Sequence, residues 1–196
     1  MRLRNGVHGY GLVTKALHWL TVAAIAGQFV VGYGMDFDEE LDREDEALDA
    51  EAEIERREDA LDSEDDEQAS VVFSDVVTGD AFGDGLSGPE LHVSLGLFIL
   101  LLAAIRILWR RTTPLPPWAE HLDVGERRLE GGLEKVLLAL LVAVPATGLL
   151  LVVAGDDWVP AHVTAQIAFL LALAGHVGLV LRHTVVLRNR HLARML

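Results

Sequence analysis

The sequence predicts an all-α integral membrane protein: a bundle of four up-and-down transmembrane helices carrying one long acidic extracytoplasmic loop. Three observations carry that expectation. Four apolar runs have bilayer length, basic residues gather at alternate ends of those runs, and the acidic residues collect in a single stretch. The last point reconciles a 51 % hydrophobic composition with a formal charge of −14. Of 30 acidic and 16 basic residues, 19 and 3 lie between Asp36 and Glu67, so 11 acidic and 13 basic residues remain for everything else. The rest is a slightly basic, very apolar protein.

The runs cover 16–35 (ALHWLTVAAIAGQFVVGYGM), 91–109 (LHVSLGLFILLLAAIRILW), 133–154 (LEKVLLALLVAVPATGLLLVVA) and 163–187 (VTAQIAFLLALAGHVGLVLRHTVVL). Each is near the ~20 residues that cross the hydrocarbon of a bilayer. A soluble core helix of this length keeps a polar stripe, which these runs hardly have. Span 1 contains His18 and Gln28 and lacks a small-residue cleavage site, so it reads as a membrane span and not as a cleaved signal peptide.

Orientation follows from the flanks. Arg2, Arg4 and Lys15 precede span 1; Arg110, Arg111, Arg127, Arg128 and Lys135 lie around the connection of spans 2 and 3; Arg188, Arg190 and Arg194 follow span 4. The intervening outer segments are acidic, so the positive-inside rule predicts a multi-pass protein of the cell membrane with both termini cytoplasmic. The expected division is residues 1–35 (N-terminus and span 1), 36–88 (acidic loop) and 89–196 (spans 2 to 4 and C-terminus), one membrane domain overall. In the loop, DFDEELDREDEALDAEAEIERREDALDSEDDEQA has good helix formers, but its charge density favours a solvated, disordered or marginally helical segment. The following VVFSDVVTGDAFGDGLSGPE reads as a loosely structured connector.

No cysteine is present, which excludes disulfides, thiolate-bound iron–sulfur clusters and covalently attached c-type haem. Any metal centre must use histidine, methionine or oxygen ligands. Of eight histidines, His8, His121 and His191 fall in polar flanks, where a solvated surface role suffices. His18, His92, His176 and His183 lie within or at the ends of apolar spans, and His162 lies just before span 4. One intramembrane imidazole can simply bond a neighbouring helix. Four imply a shared purpose, because ionisable groups inside a bilayer are costly and face the bundle interior. Imidazole is also the common axial ligand of haem iron, and facing helices can supply one each. His176 and His183, seven residues apart, leave one helix face roughly 10 Å apart along the axis. Depth pairs His18 with His183 in the cytoplasmic half. His92, at the outer end of span 2, is then expected to pair with His176, with His162 as the rival ligand at matching depth.

These residues resemble the bacterial and archaeal cytochrome b-561 family of four-helix, di-haem membrane cytochromes. The resemblance rests on ALHWL in span 1, LHVSLGLFILLLAAIRILWR leading into TPLPP, VPATGLL in span 3, and HVTAQIAFLLALAGHVGLVLRH with a closing LARML. It covers about 140 residues, all but the acidic loop. The resemblance implies that His18, His92, His176 and His183 are the axial ligands of two haem b groups. It also implies electron exchange between a quinone in the bilayer and a redox partner, such as a partner protein, at the membrane face. Arg106 and Arg182 are candidate partners for haem propionates, beside their ordinary role as interfacial cations. In one branch of the family the outer donor is superoxide. Members often open span 3 with a histidine followed four residues later by tyrosine; here Glu134 and Leu138 stand there.

The leading expectation is therefore a di-haem b-type cytochrome passing single electrons between quinone and a partner. A superoxide oxidase is the first alternative, but a superoxide site profits from a positive funnel and this loop is strongly negative. A haem-free membrane anchor or a proton-relay transporter is the other. The relay lacks carboxylates in spans 1, 2 and 4, with only Glu134 at the mouth of span 3. No nucleic-acid partner is expected.

Overall fold

A computed structural model describes residues 2–6, 9–49, 71–79, 87–118 and 122–187, with backbone alone for 36–49. His8, His121, His191, the acidic residues 50–70 and the closing LARML lie outside the described residues.

The elements of the described residues are all helical: α1 (Leu12–Asp49), a short helix α2 (71–78), α3 (Gly88–Thr112), α4 (Val124–Ala154), a 3₁₀ turn (Asp156–Trp158), α5 (Val159–Leu181) and a closing π-helical turn (Arg182–Val186). Four segments are long and apolar enough to cross a membrane, Leu12–Met35, Gly88–Thr112, Val124–Ala154 and Asp156–Val186. Only 6 to 17 % of each span's most apolar window is buried inside the protein. So much exposed apolar surface is untenable in water and ordinary in lipid. The chain is a multi-pass, four-helix membrane protein.

Two segments differ from the sequence expectation. The helix of span 1 does not stop where the apolar run stops but continues to Asp49, into the acidic stretch. Between Asp36 and Asp49 there is no glycine or proline to break it, and Glu, Leu, Ala and Arg all favour helix. The supposed connector at 71–90 also contains a helix, 71–78, whose Thr78 hydroxyl donates to Ser74 O at 3.0 Å.

The spans begin and end on local signals. Ser87 and Glu90 form a capping box at the start of α3, and Asp123 and Glu126 form another at the start of α4, each satisfying two otherwise orphaned backbone donors. The α4 box lies ten residues upstream of the apolar run at 133, so this end of the bundle is deeper than hydropathy alone indicates. At that same end Asn5 clamps the chain. Its Oδ1 accepts from Gly11 N–H (2.9 Å) and Thr14 Oγ1 (2.8 Å), while its Nδ2 donates to Pro114 O (3.1 Å) beyond α3. Trp109 Nε1 donates to Thr14 Oγ1 at 3.1 Å. The first turn of α1 is thus tied to the last of α3. Net hydrogen bonds contribute about 1 kcal/mol each, so Asn5→Ala is expected to cost about 1–3 kcal/mol, read as a lower thermal midpoint in detergent. Asn5→Asp, which keeps the acceptor, is expected to recover most of it.

The close helix pairs are α1 with α3, α3 with α4 and α4 with α5, the successive membrane spans. Leu17 and Ala24 of α1 meet Ile99, Leu102 and Ala103 of α3 in a core that Leu141 and Phe169 complete. The α1–α5 pair is not among the closely packed ones. Side chains, not backbones, bridge that side of the bundle.

Candidate functional site

What bridges α1 and α5 is a pair of imidazoles. His18 lies in the second turn of α1 and His176 five residues before the end of α5, and their ring centroids are 6.5 Å apart with planes at 61°. Both are half-buried, and His18 Nδ1 is buried with no hydrogen-bond partner among the described residues. Arg106, one helix over on α3, is an electrostatic neighbour of both rings, and Glu134 is a neighbour of His176 and Arg106.

His18 was expected to face His183. It faces His176 instead, and His183 belongs to a different cluster. In the π-helical turn after α5, His183 is fully buried, with Nε2 3.5 Å from Glu130 Oε1 and 4.0 Å from Glu126 Oε1. Arg182 is half-exposed and held by Glu126 at 2.7 Å, away from the imidazole pair. The reason is depth. Because α4 starts at Val124, its first turns supply carboxylates at the level of His183, below the level at which α1 brings in His18. His176 correspondingly does not stand opposite His92 but opposite His18.

His92 is the fifth residue of α3, and its ring packs on α1 at Gly32, where an added Cβ would stand 3.5 Å from Cε1. His162, the fourth residue of α5, occupies the same end of the bundle. Its ring lies on α4 against Gly148, where a Cβ would come within 3.1 Å of Cε1. His162 Nδ1 donates to Val144 O at 3.1 Å and is also 3.1 Å from Thr147 Oγ1. A carbonyl can only accept, so Nδ1 carries the proton, and Gln166 Nε2 donates to the lone pair of Nε2 at 3.0 Å. An imidazole whose far nitrogen is fixed on a backbone carbonyl is the usual arrangement of a metal-binding histidine. Sequence reasoning kept His162 only as a rival. The signal that favours it is its spacing from His176: fourteen residues return to nearly the same helix face roughly 21 Å away, whereas the seven to His183 leave a gap no wider than a porphyrin.

The donor set decides what the imidazole pair can hold. Among the described residues no group of three or more His, Asp or Glu side chains converges as a bare metal ion requires. Two imidazoles suffice for a metal whose other ligands come from a macrocycle. A metal–imidazole bond is about 2 Å long, so rings on opposite sides of one iron have centroids roughly 6 Å apart, which the His18–His176 pair matches. Glu134 and Arg110 form a two-pronged ion pair, 2.8 and 3.2 Å, joining α3 to α4. The carboxylate at this variant position is thereby employed in packing.

The fold and the facing histidines define a class, four-helix membrane proteins that grip a planar metal cofactor between helices. Within it the chain belongs to the prokaryotic cytochrome b561 family, whose sequence profile matches residues 9–196. It is 34 % identical over 110 residues to cytochrome b562 of Cereibacter sphaeroides, covering 56 % of this chain and 68 % of that protein. No solved structure matches the chain. It is a membrane haem-b cytochrome and an electron carrier.

Proposed function

We propose that the protein holds two b haems and passes single electrons between a quinone in the bilayer and a redox partner at the membrane face. The observation that carries the reading is the facing of His18 and His176 across the loosely packed side of the bundle. These two residues would hold the inner haem, and His92 with His162 would hold the outer one. Held by two imidazoles each, the groups would supply reversible one-electron chemistry. Arg106, an electrostatic neighbour of both inner imidazoles, would be the cation to meet the inner propionates. Arg182 pairs with Glu126, which favours Arg106 over it for that role.

The basic residues Arg2, Arg4 and Lys15, those around the connection of spans 2 and 3, and Arg188, Arg190 and Arg194 support a cell-membrane protein with both termini cytoplasmic. The acidic extension of α1 then projects outside, where its charge opposes an anionic donor such as superoxide. A protein or quinone partner suits that face better.

A reduced-minus-oxidised spectrum with a pyridine haemochrome count tests the proposal: two b haems per chain, reducible by a quinol, are expected. A chain purified without haem despite ample supply would sink it. Gly148→Val, which drives a side chain into the His162 ring, is expected to deplete the outer haem and leave the inner one, visible as the loss of one component in a redox titration.

A further inference from the structure

The polar groups around His162 do more than hold it in place. Thr147 lies one turn from Val144 on α4, two residues after Pro145 in the segment VPATG. Its hydroxyl proton is committed to its own helix, donating to Ala143 O and Val144 O, both at 2.9 Å. The oxygen lone pairs are therefore what Thr147 presents to the His162 Nδ1–H, 3.1 Å away, beside the Val144 carbonyl at 3.1 Å. A single N–H is thus shared by two acceptors, neither of which can turn and donate back. On the opposite side of the ring Gln166 donates to Nε2 at 3.0 Å. The tautomer is fixed from both sides, with hydrogen on Nδ1 and the lone pair on Nε2, where an iron would take the place of the Gln166 N–H.

We propose that Thr147 is a positioning residue that sets the redox potential of the outer haem through His162. The inference rests on His162 being an axial ligand of that haem, as proposed above. An imidazole that gives its distal N–H to strong acceptors is a more basic ligand, and a more electron-donating ligand stabilises ferric over ferrous iron. Second-shell hydrogen bonding is one of the levers by which a protein sets haem potential. Thr147 adds a second acceptor to that of Val144 O and so lowers the outer potential relative to a chain with an apolar side chain there. The inner pair has no counterpart: His18 Nδ1 is buried without any acceptor among the described residues. Thr147 thus makes a lowering contribution at the outer haem that the inner pair lacks.

The test is a potentiometric titration of both haems in the full-length protein with Thr147→Val, Thr147→Ser and, in parallel, His162→Ala. Thr147→Val is expected to keep both haems and raise only the outer midpoint potential, with a change in the outer haem's low-spin signal in electron paramagnetic resonance. Thr147→Ser, which retains the acceptor, is expected to restore both. If valine packs poorly enough to lose haem, Thr147→Ala carries the same readout without the extra methyl groups. Unmoved potentials in the Val and Ala variants, or an equal shift with Ser, overturn the role of Thr147 while the ligand assignment stands. Retention of both haems by His162→Ala overturns the ligand assignment, and this inference with it.

Discussion

Replacing His176 by alanine is expected to remove the inner haem and leave the outer one, halving the haemochrome count and abolishing electron passage across the membrane. His18→Ala is expected to give the same spectrum, because the two rings stand 6.5 Å apart and, on the proposed pairing, would serve one iron. The equivalence of two changes on helices at opposite ends of the sequence is the sharpest form of the prediction. A merely structural histidine on α1 would not reproduce, band for band, the loss caused by one on α5. The helices themselves should survive, since α1 is held to α3 by Leu17, Ala24 and the Asn5 clamp, none of which depends on the imidazoles. If the haem lost with His18 differs in potential or spectrum from the haem lost with His176, the inner pairing is wrong.

The second large effect separates His162 from His183. His162→Ala is expected to remove the outer haem, whereas His183→Gln is expected to retain both. His183 is fully buried against Glu130 and Glu126 at 3.5 and 4.0 Å, and Glu126 also caps α4 and holds Arg182. Changing His183 disturbs a buried polar cluster, so a drop in thermal stability is the expected signature, in line with the 1–3 kcal/mol typical of an unsatisfied buried group. Loss of one haem from His183→Gln, with His162→Ala intact, would restore the pairing of His18 with His183 that depth counting alone suggests.

The comparison of those two histidines shows where sequence reasoning stops. Counting residues from the ends of hydrophobic runs sets His183 opposite His18, but the helices do not share the bounds of the runs: the α-helix of span 4 ends at Leu181, before its run does. α4 starts at Val124 behind an Asp123–Glu126 capping box, and α1 starts at Leu12 under the Asn5 clamp. A polar residue in the first turn of a helix looks like loop when only hydropathy is read, so the error at each end is a turn or two, and a turn is 5.4 Å. That is enough to exchange one histidine for another seven residues away. For the same reason the helical continuation of span 1 to Asp49 and the helix at 71–78 escaped a reading based on charge and glycine content.

The sequence by itself determined the class of fold, four membrane helices, because length and apolar composition are one-dimensional properties that a bilayer reads directly. It also determined the chemistry available. Without cysteine, intramembrane histidines are the ligands a haem could use, and their order along the chain carries the family's pattern into residues 9–196. Which histidine faces which was decided only by the tertiary structure. Pairing depends on the relative depth and rotation of two helices separated by more than a hundred residues, and those are set by caps, by the Asn5 clamp and by side-chain packing between neighbours. No periodicity within a single span records them.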